Sequence, residues 1–101
     1  METKLETLDF NFPAGSQQVL RKVQVGIVAS GNLEVLLEPA ANAYSQVRIR
    51  TSASGYGETW KALLQVFFER HDVAACIEIN DSGASPPVVL LRLEQALEES
   101  L

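Results

Sequence analysis

The stretch VGIVASGNLEVLLEP, Val25–Pro39, holds two strand-like runs joined by the tripeptide Ser30-Gly31-Asn32. Before the tripeptide, apolar residues alternate with small or polar ones, and after it leucine and valine alternate with glutamate. A period of two residues is typical of a strand with one face in water. The stretch therefore predicts a β-hairpin with Ser-Gly-Asn at its tip.

Side-chain parity restricts the length of the hairpin loop. A two-residue loop would place Ile27 on the same face as Glu34, so an odd loop is needed. We predict a three-residue loop that ends with Asn32 in the left-handed conformation, which asparagine tolerates better than most residues. Ser30 then begins an exposed loop. The predicted pairs across the hairpin are Ala29 with Leu33, Ile27 with Val35, and Val25 with Leu37.

Two further strands are predicted from alternation in the first half of the chain. Leu8, Phe10 and Phe12 alternate with polar residues and form the first strand. A fourth strand over Val47 to Thr51 carries Arg48 and Arg50 on its outer face.

The second half predicts a helix, a strand and a closing helix. The first helix runs from about Tyr56 to Arg70, with Trp60, Leu63, Leu64 and Phe67 at helical spacing. VAACIEI is apolar on both faces and predicts a short central strand, and residues 80–83 predict a turn. Ser85 and Pro86 predict the start of the closing helix, whose acidic end is expected to fray. Its apolar stripe is Val89, Leu93, Ala96 and Leu97.

The resulting order is β-β-β-β-α-β-α. Its hairpin-rich first half favours a two-layer α+β fold, a mostly antiparallel sheet of about five strands with two helices packed on one face. Residues 1–101 are expected to form a single domain.

Composition argues against several classes of function. The net charge of −5 disfavours binding to nucleic acid or to an anionic membrane surface. No apolar run approaches the about 18 residues of a membrane span, and the first residues lack the pattern of a signal peptide, so a cytoplasmic protein is predicted. The single cysteine, Cys76, is expected to be a buried structural thiol.

Few residues offer catalytic chemistry. There is one histidine, and there is no glycine-rich phosphate loop, GxSxG motif or metal-ligand spacing. His71 is expected to be solvated or to cap a helix. Glu78, Asn80 and Asp81 are better explained by strand-face, turn and capping roles than by a catalytic carboxylate cluster.

Two features could serve a binding function. Arg48 and Arg50 project from one side of a strand, where arginine could match phosphate oxygens, although a solvated strand face explains them as well. Ser30 could be a modified residue or only a turn residue.

A resemblance to a known family bears on Ser30. VGIVASGNLEVLLEP, VRIRTSASGYGETW, VFFERH and EINDSGASPPVVLLRLEQALEE resemble the acyl carrier (delta/gamma-type) subunit of biotin-independent malonate decarboxylase. The resemblance covers nearly the whole chain. The acyl carrier chain of citrate lyase is more distantly similar.

The resemblance implies a covalent cofactor on the turn. Ser30 would carry 2'-(5''-phosphoribosyl)-3'-dephospho-CoA through a phosphodiester, with Gly31 and Asn32 completing the motif. Some members of the family have an aspartate at the position of Asn32. We add the expectation that Arg48 and Arg50 help to hold the phosphates of the group or an acidic patch on a partner. No metal is implied.

The resemblance also implies a cycle and its partners. The thiol of the group would hold acetyl, a transferase subunit would exchange acetyl for malonyl, and a decarboxylase subunit pair would release carbon dioxide. A phosphoribosyl-dephospho-CoA transferase and a malonyl transacylase would load the carrier. The chain itself would be a non-catalytic subunit in malonate catabolism. The alternatives are a cofactor-free interaction or regulatory module, and a small enzyme that uses Glu78, Asp81 or the arginines.

Overall fold

Strands and helices follow one another as the alternation of the sequence predicts, with one short addition. The computed structural model describes residues 5–101 of the chain. In that part the elements are β1 (Glu6–Pro13), β2 (Gln17–Gln18), β3 (Val23–Gly26), β4 (Asn32–Pro39), β5 (Tyr44–Thr51), α1 (Gly57–Arg70), β6 (Val73–Ser82) and α2 (Pro86–Ser100).

The sheet has the strand order β1-β5-β6-β4-β3, and β2 pairs with the start of β6. Neighbouring strands run antiparallel except for two parallel pairs, β2 with β6 and β5 with β6. Strands β5 and β6 are joined through α1. The predicted α+β class and order are confirmed. The added strand β2 is too short for a period of two to show in the sequence.

The central position of β6 is confirmed, but its length and pattern differ from the prediction. Residues 80–82 continue the strand because β4 pairs with β6 as far as Asn32 opposite Ser82. The chain turns at Gly83, which has a φ of 82°. Val73, Ala74 and Ala75 are all buried, whereas Cys76 and Glu78 lie half-buried on the face away from the helices.

The core lies between the sheet and the two helices. Leu64 and Phe67 of α1 and Leu93 of α2 are 0 % exposed, as the predicted stripes require. Each fully buried side chain of this size stabilises the fold by about 1.5–3 kcal/mol. The sheet contributes to the same cluster Val25, Leu33, Val35, Leu37, Val47, Ile49, Ile77 and Ile79.

The ends of α2 behave differently from one another. Ser85 is the N-cap in an extended conformation and makes no capping hydrogen bond through its side chain. At the other end Ser100 is buried, its Oγ donates to Leu97 O at 2.7 Å, and its carbonyl accepts from the Leu20 N–H at 3.1 Å. The predicted fraying is therefore wrong, because the last turn is bound to the rest of the fold.

No helix in the described part of the chain is long and apolar enough to cross a membrane.

The sheet face away from the helices, here called the open face, carries Asp9, Arg48, Arg50, Cys76 and Glu78.

Candidate functional site: the turn between β3 and β4

The hairpin of β3 and β4 has an odd loop, but a longer one than predicted. Val25 pairs with Val35 instead of Leu37, and residues 27–31 join the strands. The cause is Gly26, whose φ of 77° turns the chain away from β4. Ile27 consequently leaves the core and is 62 % exposed, so its predicted inward position is wrong.

The odd length of the loop and the inward position of Val25 are confirmed. Val25, Leu33, Val35 and Leu37 are all buried. Glu34 points to the opposite face, where its carboxylate accepts hydrogen bonds from the side chains of Gln24 at 2.7 Å and Asn80 at 3.0 Å.

The loop ends in a hydrogen-bonded turn centred on Ser30 and Gly31. The Asn32 N–H donates to Ala29 O at 2.8 Å, and the Gly31 N–H donates to Ser82 O at 2.7 Å. Gly31 has a φ of 74° and takes the left-handed position that the sequence assigned to Asn32. Glycine adopts this conformation without the steric cost of a Cβ. One hydrogen bond thus closes the turn, and the other joins it to β6.

Ser30 is exposed on this turn. In residues 5–101 its hydroxyl makes no hydrogen bond, and a Cβ added at the neighbouring Gly31 would meet nothing within 4 Å. A substituent on Ser30 Oγ therefore has room to extend into solvent, so the turn fits the covalent group that the resemblance implies. Ser52, Ser54 and Ser85 are exposed as well, so exposure alone does not distinguish Ser30.

The side chains of Asn32 and Arg92 form a hydrogen-bonded pair beside the turn. Asn32 Oδ1 accepts from the Leu33 N–H at 2.8 Å and from Arg92 Nε at 3.4 Å. Sequence reasoning missed Arg92, because nothing in the pattern of α2 indicates that this helix lies against the hairpin. The pairing of Asn32 with Ser82, shortly before α2 begins, brings the helix and the hairpin together.

Arg48 and Arg50 lie on the open face, as predicted. Arg48 Nε donates to Asp9 Oδ1 at 2.8 Å, and Arg50 Nη1 donates to Glu78 Oε1 at 2.7 Å. The hydrogen bond to Asp9 raises the pKa of Arg48. Strand β5 pairs with β6 so that Arg48 lies opposite Glu78. The hairpin turn that contains Ser30 lies farther along β6, where Asn32 pairs with Ser82. The structure therefore does not bring these arginines into contact with Ser30.

The carboxylates of the EIND segment do not converge. Asp81 is buried, and its carboxylate accepts from Thr51 Oγ1 at 2.7 Å and from the N–H groups of Gly83 at 3.1 Å and Ala84 at 3.0 Å. Glu78 projects to the other face and pairs with Arg50. The predicted turn and capping role is confirmed for Asp81.

The environments of the histidine and the cysteine are consistent with structural roles. His71 is the C-cap of α1, its N–H donates to Phe67 O, and its Nε2 lies 3.3 Å from Glu94 Oε2. Cys76 is half-buried, less than predicted, and burial with the charges of Glu38 and Glu78 raises the pKa of its thiol. In residues 5–101 no three His, Cys, Asp or Glu side chains converge in the way that a metal ion requires.

Comparison with known proteins gives consistent matches over nearly the whole chain. The family model of the malonate decarboxylase delta subunit (MdcD), an acyl carrier protein, matches residues 20–100. The malonate decarboxylase acyl carrier protein of Burkholderia cepacia is 54% identical over 96% of this chain and 92% of its own length. That of Pseudomonas aeruginosa (strain UCBPP-PA14) is 50% identical over 95% of this chain and 97% of its own length. A chain in the crystal structure of a Pseudomonas malonate decarboxylase hetero-tetramer in complex with malonate is 44% identical, with a TM-score of 0.88, over 95% of this chain and 99% of that chain.

Proposed function

Because the chain belongs to the acyl carrier family of malonate decarboxylase delta subunits, we propose that it carries acyl groups in a malonate decarboxylase and that Ser30 is the attachment site. The attached group would be 2'-(5''-phosphoribosyl)-3'-dephospho-CoA, joined to Ser30 Oγ by a phosphodiester. When bound, this group supplies a terminal thiol that can hold acetyl or malonyl as a thioester.

The observation that carries the proposal is the geometry of Ser30 in a chain of this family. The hydroxyl is exposed and makes no hydrogen bond in residues 5–101, while the hydrogen bonds of Gly31 and Asn32 fix the backbone on either side. A carrier needs this combination, because the base of the arm must be positioned while the arm itself remains free to move between active sites.

The contribution of the chain to the reaction is to position the group. Asp81, Glu78 and His71 each have a protein partner, and none of these partners is a residue of the Ser30 turn. Proton transfer and bond cleavage then fall to the partner subunits. We therefore propose a non-catalytic carrier subunit.

The proposed partners are the transferase subunit, the decarboxylase subunit pair, the phosphoribosyl-dephospho-CoA transferase and the malonyl transacylase. The hetero-tetramer that contains the similar solved chain supports an assembly of several subunits. A cytoplasmic location remains a prediction from the sequence.

The test is the intact mass of the chain purified from its native host, followed by peptide mapping. We expect added mass equal to one prosthetic group, located on the peptide that contains Ser30. Ser30→Ala should abolish loading and leave the melting temperature nearly unchanged, because the site is exposed.

Ser54→Ala is the matched control, since Ser54 is another exposed serine in a loop. This variant should load normally. A group found on any other residue, or loading of Ser30→Ala, would contradict the attachment site. A native chain without added mass would favour the cofactor-free interaction or regulatory module.

A further inference from the structure

We infer that Arg92 and Asn32 form an anion site that holds the phosphodiester attached to Ser30. The inference rests on the proposed function, because it assigns protein contacts to the group proposed there. It concerns α2 and the hairpin, not the arginines that the sequence first suggested.

Arg92 reaches the turn because of the direction of helical side chains. Side chains on an α-helix point toward its N-terminus, and α2 begins just after Gly83, at the end of the sheet where the hairpin turns. The Arg92 Cδ atom lies 3.5 Å from the place where a Cβ of Gly26 would be. The stem of Arg92 thus lies along the base of the loop, and its Nε lies 3.4 Å from Asn32 Oδ1.

The charge of Arg92 is not matched by a carboxylate in residues 5–101. Arg48, Arg50 and Arg70 each pair with a carboxylate, whereas Arg92 contacts the amide oxygens of Asn32 and Gln95. Amide oxygens accept hydrogen bonds but do not neutralise a guanidinium. Arg92 is half-buried, so its side chain is already restricted beside the turn.

The Asn32 side chain has its orientation fixed by the same contacts. Its Oδ1 accepts from the Leu33 N–H and from Arg92, so its Nδ2 group must face the other way. In residues 5–101 that Nδ2 group makes no hydrogen bond. Arg92 contacts Asn32, which is two residues from Ser30 in sequence, and a guanidinium in that position matches the unesterified oxygens of a phosphodiester on Ser30.

The start of α2 does not supply these donors instead. Its first two positions are Pro86 and Pro87, which have no N–H, and the Val89 N–H donates to Ser85 O at 3.0 Å. The usual anion-binding capacity of a helix N-terminus is therefore reduced here.

A double-mutant cycle tests the site without requiring the prosthetic group. Ser30→Glu places a negative charge on the turn, and Arg92→Gln removes the cation. At low salt we expect the two substitutions to be coupled by about two- to fivefold in the folding equilibrium constant, measured from urea unfolding, and 0.5 M salt to reduce the coupling. Arg48→Gln is the matched control and should show no coupling to Ser30→Glu.

The loaded chain gives a second readout that is independent of turnover. We expect the ³¹P resonance of the phosphodiester to shift in Arg92→Gln and in Asn32→Ala, and to remain unchanged in Arg48→Gln. Absence of coupling in the cycle, or equal coupling to Arg48, would overturn the inference even if Ser30 is loaded. Absence of the group from Ser30 would instead contradict the proposed function.

Discussion

Arg50 on β5 donates from Nη1 to Oε1 of Glu78 on the neighbouring parallel strand β6, at 2.7 Å. The side chains of the two residues are 40% and 38% exposed, and the Arg48 pair with Asp9 is more exposed still. Exposed ion pairs contribute only about 0–1 kcal/mol to stability. The two arginines of the open face are therefore available for another function at little cost to the fold.

The double variant Arg48→Ala/Arg50→Ala tests the role in phosphate binding or partner docking that the sequence predicts for these arginines. We expect a loss of stability below about 1 kcal/mol and a defect either in loading of Ser30 or in malonate-dependent carbon dioxide release by the reconstituted complex. A defect confined to loading would place these arginines against the enzyme that attaches the group. Wild-type rates in both assays at low and moderate salt would end the proposed role.

Gly26→Ala is expected to destabilise the hairpin strongly. The residue has a φ of 77°, and an added Cβ would clash with the carbonyl oxygen of Leu33. Left-handed strain and a clash with backbone add, so the loss should be about 3 kcal/mol or more. Urea unfolding measures it.

Gly55→Ala is the matched control for that substitution. Gly55 has a φ of 88°, but a Cβ there would meet nothing within 4 Å. Strain alone predicts a loss of about 1–2 kcal/mol. Equal losses in the two variants would show that a clash with the Leu33 carbonyl does not contribute to the loss at Gly26.

Ser45→Ala should weaken the junction of β5 and β6. Ser45 is 0 % exposed, and its Oγ accepts from the Ala75 N–H at 3.0 Å. Without the hydroxyl this buried N–H has no partner, which costs about 1–3 kcal/mol. Ser85→Ala, at an N-cap that makes no side-chain hydrogen bond, should change the free energy of unfolding by less than about 0.5 kcal/mol. The reverse order of the two effects would contradict this account.

Asp72 should titrate below its usual range. Its carboxylate accepts hydrogen bonds from the Ser16 hydroxyl and backbone N–H, and these lower its pKa. Because the pKa is lower in the folded chain, the stabilisation is present above the ordinary aspartate pKa of about 3.9 and is lost as the pH falls through the folded value. In Ser16→Ala the pKa of Asp72 should rise, as measured by ¹³C NMR titration of the carboxyl group. An unchanged pKa would show that the hydroxyl contact is absent in solution.

Local pattern alone determined most of the elements. Alternation predicted the strands, helical spacing predicted the buried faces of both helices, and the parity of Val25 and Glu34 required an odd hairpin loop. These features depend on side-chain periods that are set within one segment of chain. The motif around Ser30 likewise lies within one short segment.

The tertiary structure decided what depends on contacts between distant segments. Gly26 has a φ of 77° and lies so close to the Leu33 carbonyl that a Cβ would not fit; the loop that follows it is longer than three residues and Ile27 is exposed. The strand β6 extends to Ser82 because β4 pairs with it, a relationship that no pattern in either strand shows. The same pairing places α2 beside the hairpin and Arg92 beside Asn32, although 60 residues separate them in sequence. Periodicity shows which face of an element is buried, but the residue that meets it from another element is fixed only when the chain packs.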